Sequence, residues 1–149
     1  MERFEKLTNG VSRIYKNILK IKKSRMDSIG LKGTHVMCLH YLSISKDGLT
    51  ATQLCEKCYE DKAGISRILS ELEEKELIFF EQNHNGKRYR TKACLSEKGK
   101  ETAKSVAGFI EEATKEAGKG ISDVERKIFY EVLNRIADNL TDVCRNLEN

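Results

Sequence analysis

The chain has 149 residues, which suits one domain or two small lobes that share a core. Apolar residues make up 39% and charged residues 34%, so the chain does not belong to the disordered class. Its net charge of +4 mildly favours polyanionic partners, and no segment approaches the ~18 apolar residues that a membrane span needs. An odd number of cysteines, five, and a start without the apolar region of a secretory signal predict reduced thiols and a cytoplasmic protein.

The first half of the chain is predicted to be helical, because proline is absent and apolar residues recur every three or four positions. A first helix carries a basic run from Arg13 to Arg25 and should end near Gly30; a second spans about residues 34–45. Thr50 and Gln53 form a capping-box pattern that opens a third helix to about residue 58. Asp61 then caps a fourth helix to about residue 75, so helices three and four predict a helix-turn-helix.

A β-hairpin is predicted after the fourth helix, and no other β-structure is expected. Residues 78–82 read as a strand and Asn85-Gly86 is a strong hairpin turn signal. On the return strand apolar residues alternate with basic ones to Leu95. Ser96 can cap a fifth helix to about Gly118, and a second capping box at Ser122 opens a final helix with a long apolar stripe.

The helix-turn-helix and the basic hairpin together indicate a nucleic-acid interface. A helix that enters the major groove needs short polar and basic side chains in its first half, and no acid near the phosphates. The outward residues of the fourth helix fit this requirement: Lys62, Ala63, Gly64, Ser66, Arg67 and Ser70. The hairpin offers further contacts through Asn85, Lys87, Arg88 and Arg90, and phosphate contacts are expected at Thr50 and Thr52. A basic hairpin taken alone is more often a solvated edge.

These segments, in this order, resemble the MarR family of winged-helix transcriptional regulators over nearly the whole chain. The resemblance is most specific in residues 61–69 and 72–78 and continues at residues 31–42, 48–54, 95–99, 121–122 and 139–140. It implies a mainly α fold with about six helices, a winged helix-turn-helix lobe at residues 31–99, and a helical dimerisation region at residues 1–30 and 100–149. It also implies a homodimer on palindromic double-stranded DNA, most simply a repressor, with a small molecule, metal or oxidant as effector in many members.

Two positions depart from the family pattern. Glu76 stands where relatives usually have Gly to end the recognition helix, and a left-handed Glu costs about 1 kcal/mol unless the helix ends in another way. Gly86 stands where many relatives have an Asp two residues before the wing Arg, so Lys87 or Arg90 could replace Arg88 in that role.

An effector crevice is expected where the first, second and fifth helices meet the DNA-binding lobe. A small aromatic or anionic molecule is the expected ligand, and its candidate contacts are Arg13, Tyr15, Lys16, His35, Tyr41 and Phe109. Packing of Tyr15 and Phe109 in the dimer core is an equally good interpretation.

Two alternatives to a ligand-released regulator remain open. Cys55 and Cys58 share a helical face near Cys38, which could support a thiol- or metal-responsive sensor, but small apolar core positions are the simpler reading. The long apolar helices alone would also suit a dimeric interaction protein without DNA affinity. Catalytic motifs are missing from the sequence, so no enzyme activity, cofactor or membrane partner is predicted.

Overall fold

The computed structural model describes residues 1–81 and 91–147. Its first helix, α1 (Glu2–Asp27), ends as the sequence predicts, in a turn whose Gly30 has a left-handed φ of 71°. There the Leu31 N–H donates to the Met26 carbonyl at 2.9 Å, which satisfies a carbonyl at the end of the helix. Within the chain Met26 is the buried residue of α1, and the apolar stripe of this helix is otherwise exposed.

Three short helices follow: α2 (His35–Ile44), α3 (Ala51–Cys58) and α4 (Lys62–Glu74). The predicted capping box opens α3, because the Thr50 hydroxyl accepts the Gln53 N–H at 3.2 Å and the Gln53 side chain accepts the Thr50 N–H at 2.9 Å. The Asp61 carboxylate accepts the Gly64 N–H at 2.6 Å and so caps α4. Tyr59 makes the turn between α3 and α4 in a left-handed conformation, with φ 54°. The predicted helix-turn-helix is therefore confirmed.

The strands β1 (Ile78–Phe80) and β2 (Ala93–Leu95) pair in antiparallel register, with Ile78 opposite Leu95. Leu49 adds a bridge that the sequence did not predict: its N–H donates to the Ala93 carbonyl at 3.0 Å, and it accepts the Ala93 N–H at 2.8 Å. The expected alternation holds in the described part of the return strand, where Thr91, Ala93 and Leu95 are buried.

One apolar core joins α2, α3, α4, both strands and the first half of α5 (Glu97–Ala117). The four apolar positions predicted to face inward on α4 are all buried: Ile65, Ile68, Leu69 and Leu72. Cys38 on α2 and Leu54 on α3 lie in the same core with no exposed surface. Because α2, α3, α4 and α5 each contribute buried side chains to this core, α4 is held in place against the other helices.

Hydrogen bonds and a close backbone contact hold the end of α4 against the start of α5. Glu76 adopts a left-handed conformation, with φ 59°. This is the conformation expected at a position where relatives usually have glycine. The Ser96 hydroxyl donates to the Glu76 carbonyl at 2.6 Å and accepts the Gly99 N–H at 3.0 Å. A Cβ on Gly99 would lie 1.9 Å from the Leu77 carbonyl oxygen, so only glycine allows this close approach.

The chain divides into two compact units, Met1–Glu111 and Glu112–Asn149. The second unit contains the end of α5 and the last helix, α6 (Asp123–Leu147), which begins at the predicted capping box of Ser122 and Glu125. No residue of α6 is buried within the chain, although its apolar stripe is long. None of the described helices is long and apolar enough to cross a membrane.

Candidate nucleic-acid interface

The first half of α4 presents one small, polar and basic surface. Its exposed residues are Lys62, Ala63, Ser66, Arg67 and Ser70, while Gly64 is half-buried. The buried residues Ile65 and Ile68 lie between them on the opposite face, as the helical period requires. The structure thus brings all six predicted recognition-helix residues onto one side of one helix.

The charged residues within the first half of α4 are basic, and the acids Glu60 and Asp61 adjoin its start. Arg67 is exposed, and its Nε makes only a long, 3.4 Å bond to the Ala63 carbonyl of its own helix. The Asp61 carboxylate is held against the Gly64 N–H, where a Cβ on Gly64 would come within 3.1 Å of the carboxylate oxygen. Glu71, the first acid within α4, pairs with Lys32 and His35 behind the exposed face. Positive and neutral groups therefore dominate the leading half of the helix.

The two threonines predicted as phosphate contacts differ in their surroundings. Thr50 is half-buried, and its hydroxyl is engaged with the backbone N–H and the side chain of Gln53. Thr52 is exposed in the first turn of α3, where backbone N–H groups at a helix N-terminus can meet an anion. Thr52 has the better placed side chain of the two.

The predicted wing contacts Asn85, Lys87, Arg88 and Arg90 lie outside the described residues. The strands that lead to them are described, and the Glu81 N–H donates to the Lys92 carbonyl at 3.1 Å just beyond β1. The hairpin therefore starts as the sequence predicts.

Comparison with known proteins identifies solved structures that share this fold. A MarR family transcription regulator shares the fold with a TM-score of 0.82 and 20% identity, over 97% of this chain and 94% of that one. A Listeria monocytogenes MarR family regulator complexed with 26mer DNA gives 0.81 and 21%, over 91% and 89%. Staphylococcus aureus MarR in complex with salicylate and kanamycin gives 0.81 and 18%, over 95% of both chains. No curated protein matches the chain.

A sequence model of the MarR family matches residues 29–88, from the turn after α1 to the segment beyond β1. Residues 29–88 thus match the MarR family, and over nearly the whole chain the fold is that of MarR-family winged-helix structures. The resemblance found in the sequence is thereby confirmed, and so is the mainly α winged-helix fold. The match supports a DNA-binding transcription regulator.

In this lobe helix α4 is hydrogen-bonded to a buried histidine that the sequence did not pair with any carboxylate. His35 is wholly buried; its Nδ1 accepts the Lys32 backbone N–H at 3.2 Å, so its Nε2 carries the proton and donates to Glu71 at 2.7 Å. Burial lowers the pKa of His35, against the raising effect of Glu71. The hydrogen bonds from Lys32 and then His35 lower the pKa of the Glu71 carboxyl.

The six candidate effector contacts are dispersed among several environments. Tyr15 is 60% exposed on α1, and Arg13 and Lys16 are exposed beside it. The Arg25 guanidinium lies over the Phe109 ring at 5.6 Å, and the Lys57 ammonium lies 5.5 Å from the Tyr41 ring. His35 has both ring nitrogens in hydrogen bonds.

An open crevice of about 470 Å³ lies elsewhere in the first unit, between the turn after α1, the end of α4 and the start of α5. Two lysines, one glutamate and two hydroxyl groups share its lining with apolar side chains; its residues are Ile29, Gly30, Leu31, Lys75, Leu77, Lys98, Glu101, Thr102 and Ser105. None of the six candidate contacts is among them. Spacing along single helices could not reveal this crevice, because three separate segments form it.

The cysteines of the MarR-family lobe are free thiols. Cys55 and Cys58 pack partly against the core, as expected of small apolar residues. Over residues 1–81 and 91–147, no cluster of three or more His, Cys, Asp or Glu side chains could hold a metal ion. Burial raises the pKa of the Cys94 thiol, and Glu81 adds to the effect.

Proposed function

We propose that the chain is a homodimeric repressor that binds a palindromic operator, with one winged-helix lobe on each half-site. The observation that carries the proposal is the leading half of α4, where exposed Lys62, Ser66 and Arg67 face outward. A groove about 12 Å wide accepts such a helix, and short polar and basic side chains can reach the base edges. The DNA complex of the Listeria relative supports this assignment by analogy of fold.

Lys62 and Arg67 are the strongest base or phosphate contacts that we propose, with Ala63, Gly64, Ser66 and Ser70 close to the groove floor. Thr52 and the cap residue Thr50 would contact the backbone at the start of α3. The wing residues Asn85, Lys87, Arg88 and Arg90 complete the proposed set, as a cationic probe for the minor groove.

The dimer is proposed from the apolar stripes of α1 and α6. Phe4, Ile14, Ile128 and Leu140 are each more than half exposed in the single chain. Contiguous exposed apolar surface of this kind marks a protein interface, and a second copy of the chain is the partner that a two-fold operator requires. Residues 1–30 and 100–149 would form this dimerisation region, and residues 31–99 the DNA-binding lobe.

An effector is proposed to release the repressor from DNA in the cytoplasm. The crevice at the end of α4 offers Lys75 and Lys98 for an anionic group and Leu31 and Leu77 for an apolar one. The salicylate complex of the Staphylococcus relative supports a ligand of this chemistry. Equilibrium dialysis against salicylate tests this effector site. Salicylate binding at or below millimolar levels that Lys98→Ala weakens would support the crevice as the site, and no binding would overturn the proposal.

Fluorescence anisotropy tests the DNA-binding proposal. Duplex DNA from the region upstream of the gene itself is titrated over a salt series with the wild type, Arg67→Ala and the control Lys104→Ala, whose exposed lysine lies on α5. Arg67→Ala is expected to cost about 1–3 kcal/mol on the preferred sequence and little on others. An equal loss on all sequences reassigns Arg67 to phosphate.

The same titration distinguishes the alternative of a helical interaction protein. A regulator binds with a steep negative dependence on salt, because counterions leave the DNA. A folded dimer that does not bind any duplex at low salt would exclude DNA as its partner. Sedimentation at several concentrations provides the oligomeric state for both cases.

A further inference from the structure

Two thiols from different helices, α2 and α3, meet in the lobe that contains the helix-turn-helix. The Sγ atoms of Cys38 on α2 and Cys58 on α3 are 3.7 Å apart, although the residues are 20 positions apart in the chain. Cys38 has no exposed surface, while Cys58 is half-buried and open to solvent on one side. A disulfide needs the two sulfurs at about 2.05 Å, so they must approach each other by more than 1 Å to be joined.

The two thiols differ in exposure and in the direction of their pKa shifts. The hydrogen bond between the two sulfurs, together with burial, raises the pKa of Cys38. The same bond lowers the pKa of Cys58; Lys22 acts in the same direction, whereas burial and Glu60 oppose it. Cys58 is assigned as the nucleophile because it is the solvent-accessible thiol of the pair, and its lowered pKa favours the reactive thiolate.

We propose that Cys38 and Cys58 form a reversible disulfide that switches DNA binding, with low-molecular-weight disulfides as the oxidant. The pair lies within the lobe that holds α4, so the modification acts where the recognition helix is positioned. The effect on DNA rests on the function proposed above, whereas the disulfide itself does not.

The chemistry takes two exchange steps and needs no other reactant. The Cys58 thiolate attacks one sulfur of the external disulfide, forms a mixed disulfide and releases one external thiolate. Cys38, after losing its proton to that thiolate or to solvent, then attacks the Cys58 sulfur and releases the second external thiol. In total two protein thiols are oxidised by two electrons, and one external disulfide is reduced to two thiols.

The position of Cys58 explains how the bond would act on DNA binding. Cys58 is the last residue of α3, and the Cys55 carbonyl that precedes it accepts the Glu60 N–H at 3.2 Å. Left-handed Tyr59 follows at once, and Asp61 already caps α4. Drawing Cys58 toward α2 by more than 1 Å, from 3.7 Å to about 2.05 Å between the sulfurs, therefore pulls on the turn that sets the start of α4.

Oxidised glutathione tests the disulfide on the full chain. Wild type is expected to lose two of its five free thiols, to yield a Cys38–Cys58 cross-linked peptide in mass spectrometry, and to recover both thiols with dithiothreitol. The control Cys144→Ser, which removes an exposed thiol of α6, should behave in the same way. Cys38→Ala should stop at a glutathione adduct on Cys58, and Cys58→Ser, which does not alter the wholly buried Cys38, should form neither product.

Two results would overturn the proposal: a stable glutathione adduct on Cys58 in the wild type, or no reaction of Cys58 at all. In the second arm, reduced and oxidised wild type are titrated against the same duplex, and oxidation is expected to weaken binding by about tenfold. Equal affinities would overturn the switch while leaving the disulfide. If reduced protein does not bind DNA, the proposed function fails, and peptide mapping still decides the thiol pair.

Discussion

The helix-turn-helix lobe and the terminal helix α6 differ in the burial of their apolar residues. In the lobe Leu39, Leu54, Ile65 and Leu72 have no exposed surface. In α6 the apolar stripe repeats as regularly, yet Ile128, Leu140 and Val143 are each more than half exposed. Periodicity alone therefore marks a surface to be covered, and it does not tell whether the same chain covers it.

This difference separates two kinds of stability. The lobe closes its own core, so its stability is a property of one chain. The stripe of α6 gains free energy only against another surface, so its contribution depends on concentration if that surface belongs to a second copy.

The largest expected effect comes from the closed core. Leu72→Ala removes a wholly buried side chain from α4 and is expected to lower the free energy of unfolding by about 2–5 kcal/mol. Urea denaturation at two protein concentrations measures this, and the loss should be the same at both. A loss below 1 kcal/mol would mean that the site collapses around the missing group.

Leu140→Glu tests the opposite kind of surface. Because Leu140 is exposed in the single chain, the variant should keep its helical circular dichroism, while the dimer dissociation constant rises at least about tenfold. Sedimentation equilibrium measures the constant, and exposed Lys127→Glu on the same helix is the charge control. An unchanged dissociation constant would remove Leu140 from the proposed interface.

The pH dependence of the lobe is expected to come partly from His35. Its lowered pKa means that the unfolded chain takes up a proton more readily between pH 6.5 and the folded pKa, so stability falls as pH drops through that window. The fall is at most about 1.4 kcal/mol per pH unit. The groups that face His35 are Glu71, Lys32 and Lys75.

His35→Gln should flatten this dependence between pH 7 and pH 5.5 in urea titrations, because the side chain no longer titrates. Below pH 4.5 the variant and the wild type should again lose stability together, since the lowered pKa of Glu71 becomes the relevant one there. An identical pH profile for both proteins would exclude His35 as the source.

The smallest expected effect is an increase in the free energy of unfolding. Glu76→Gly relieves a left-handed conformation and should raise the free energy of unfolding by about 0.5–1 kcal/mol, after the greater flexibility of glycine in the unfolded chain is subtracted. Glu76→Ala is the control, because it removes the charge and retains the strain. Equal effects of both variants would point to charge instead.

Features set by neighbouring residues could be predicted from the sequence. The caps at Thr50, Asp61 and Ser122 were found because their partners lie three residues away. The hairpin alternation is equally local, whereas the left-handed Glu76 was anticipated from the glycine that relatives have at this position.

Features set by distant pairs could not be predicted. His35 meets Glu71 and Cys38 meets Cys58 only once three helices have packed, and no spacing rule connects them. The Leu49 bridge and the crevice near Lys98 arise in the same way. The left-handed conformation of Tyr59 could not be predicted either, since tyrosine is uncommon at such a position.

The close approach of Gly99 to the Leu77 carbonyl has a mechanical consequence. With no side chain between the two backbones, and with Ser96 bonded to both segments, the first turn of α5 cannot slide or tilt without moving the end of α4. The end of α4 and the first turn of α5 are therefore expected to move together. A displacement of the first turn of α5 therefore reaches the end of α4 directly, because no layer of side chains lies between them.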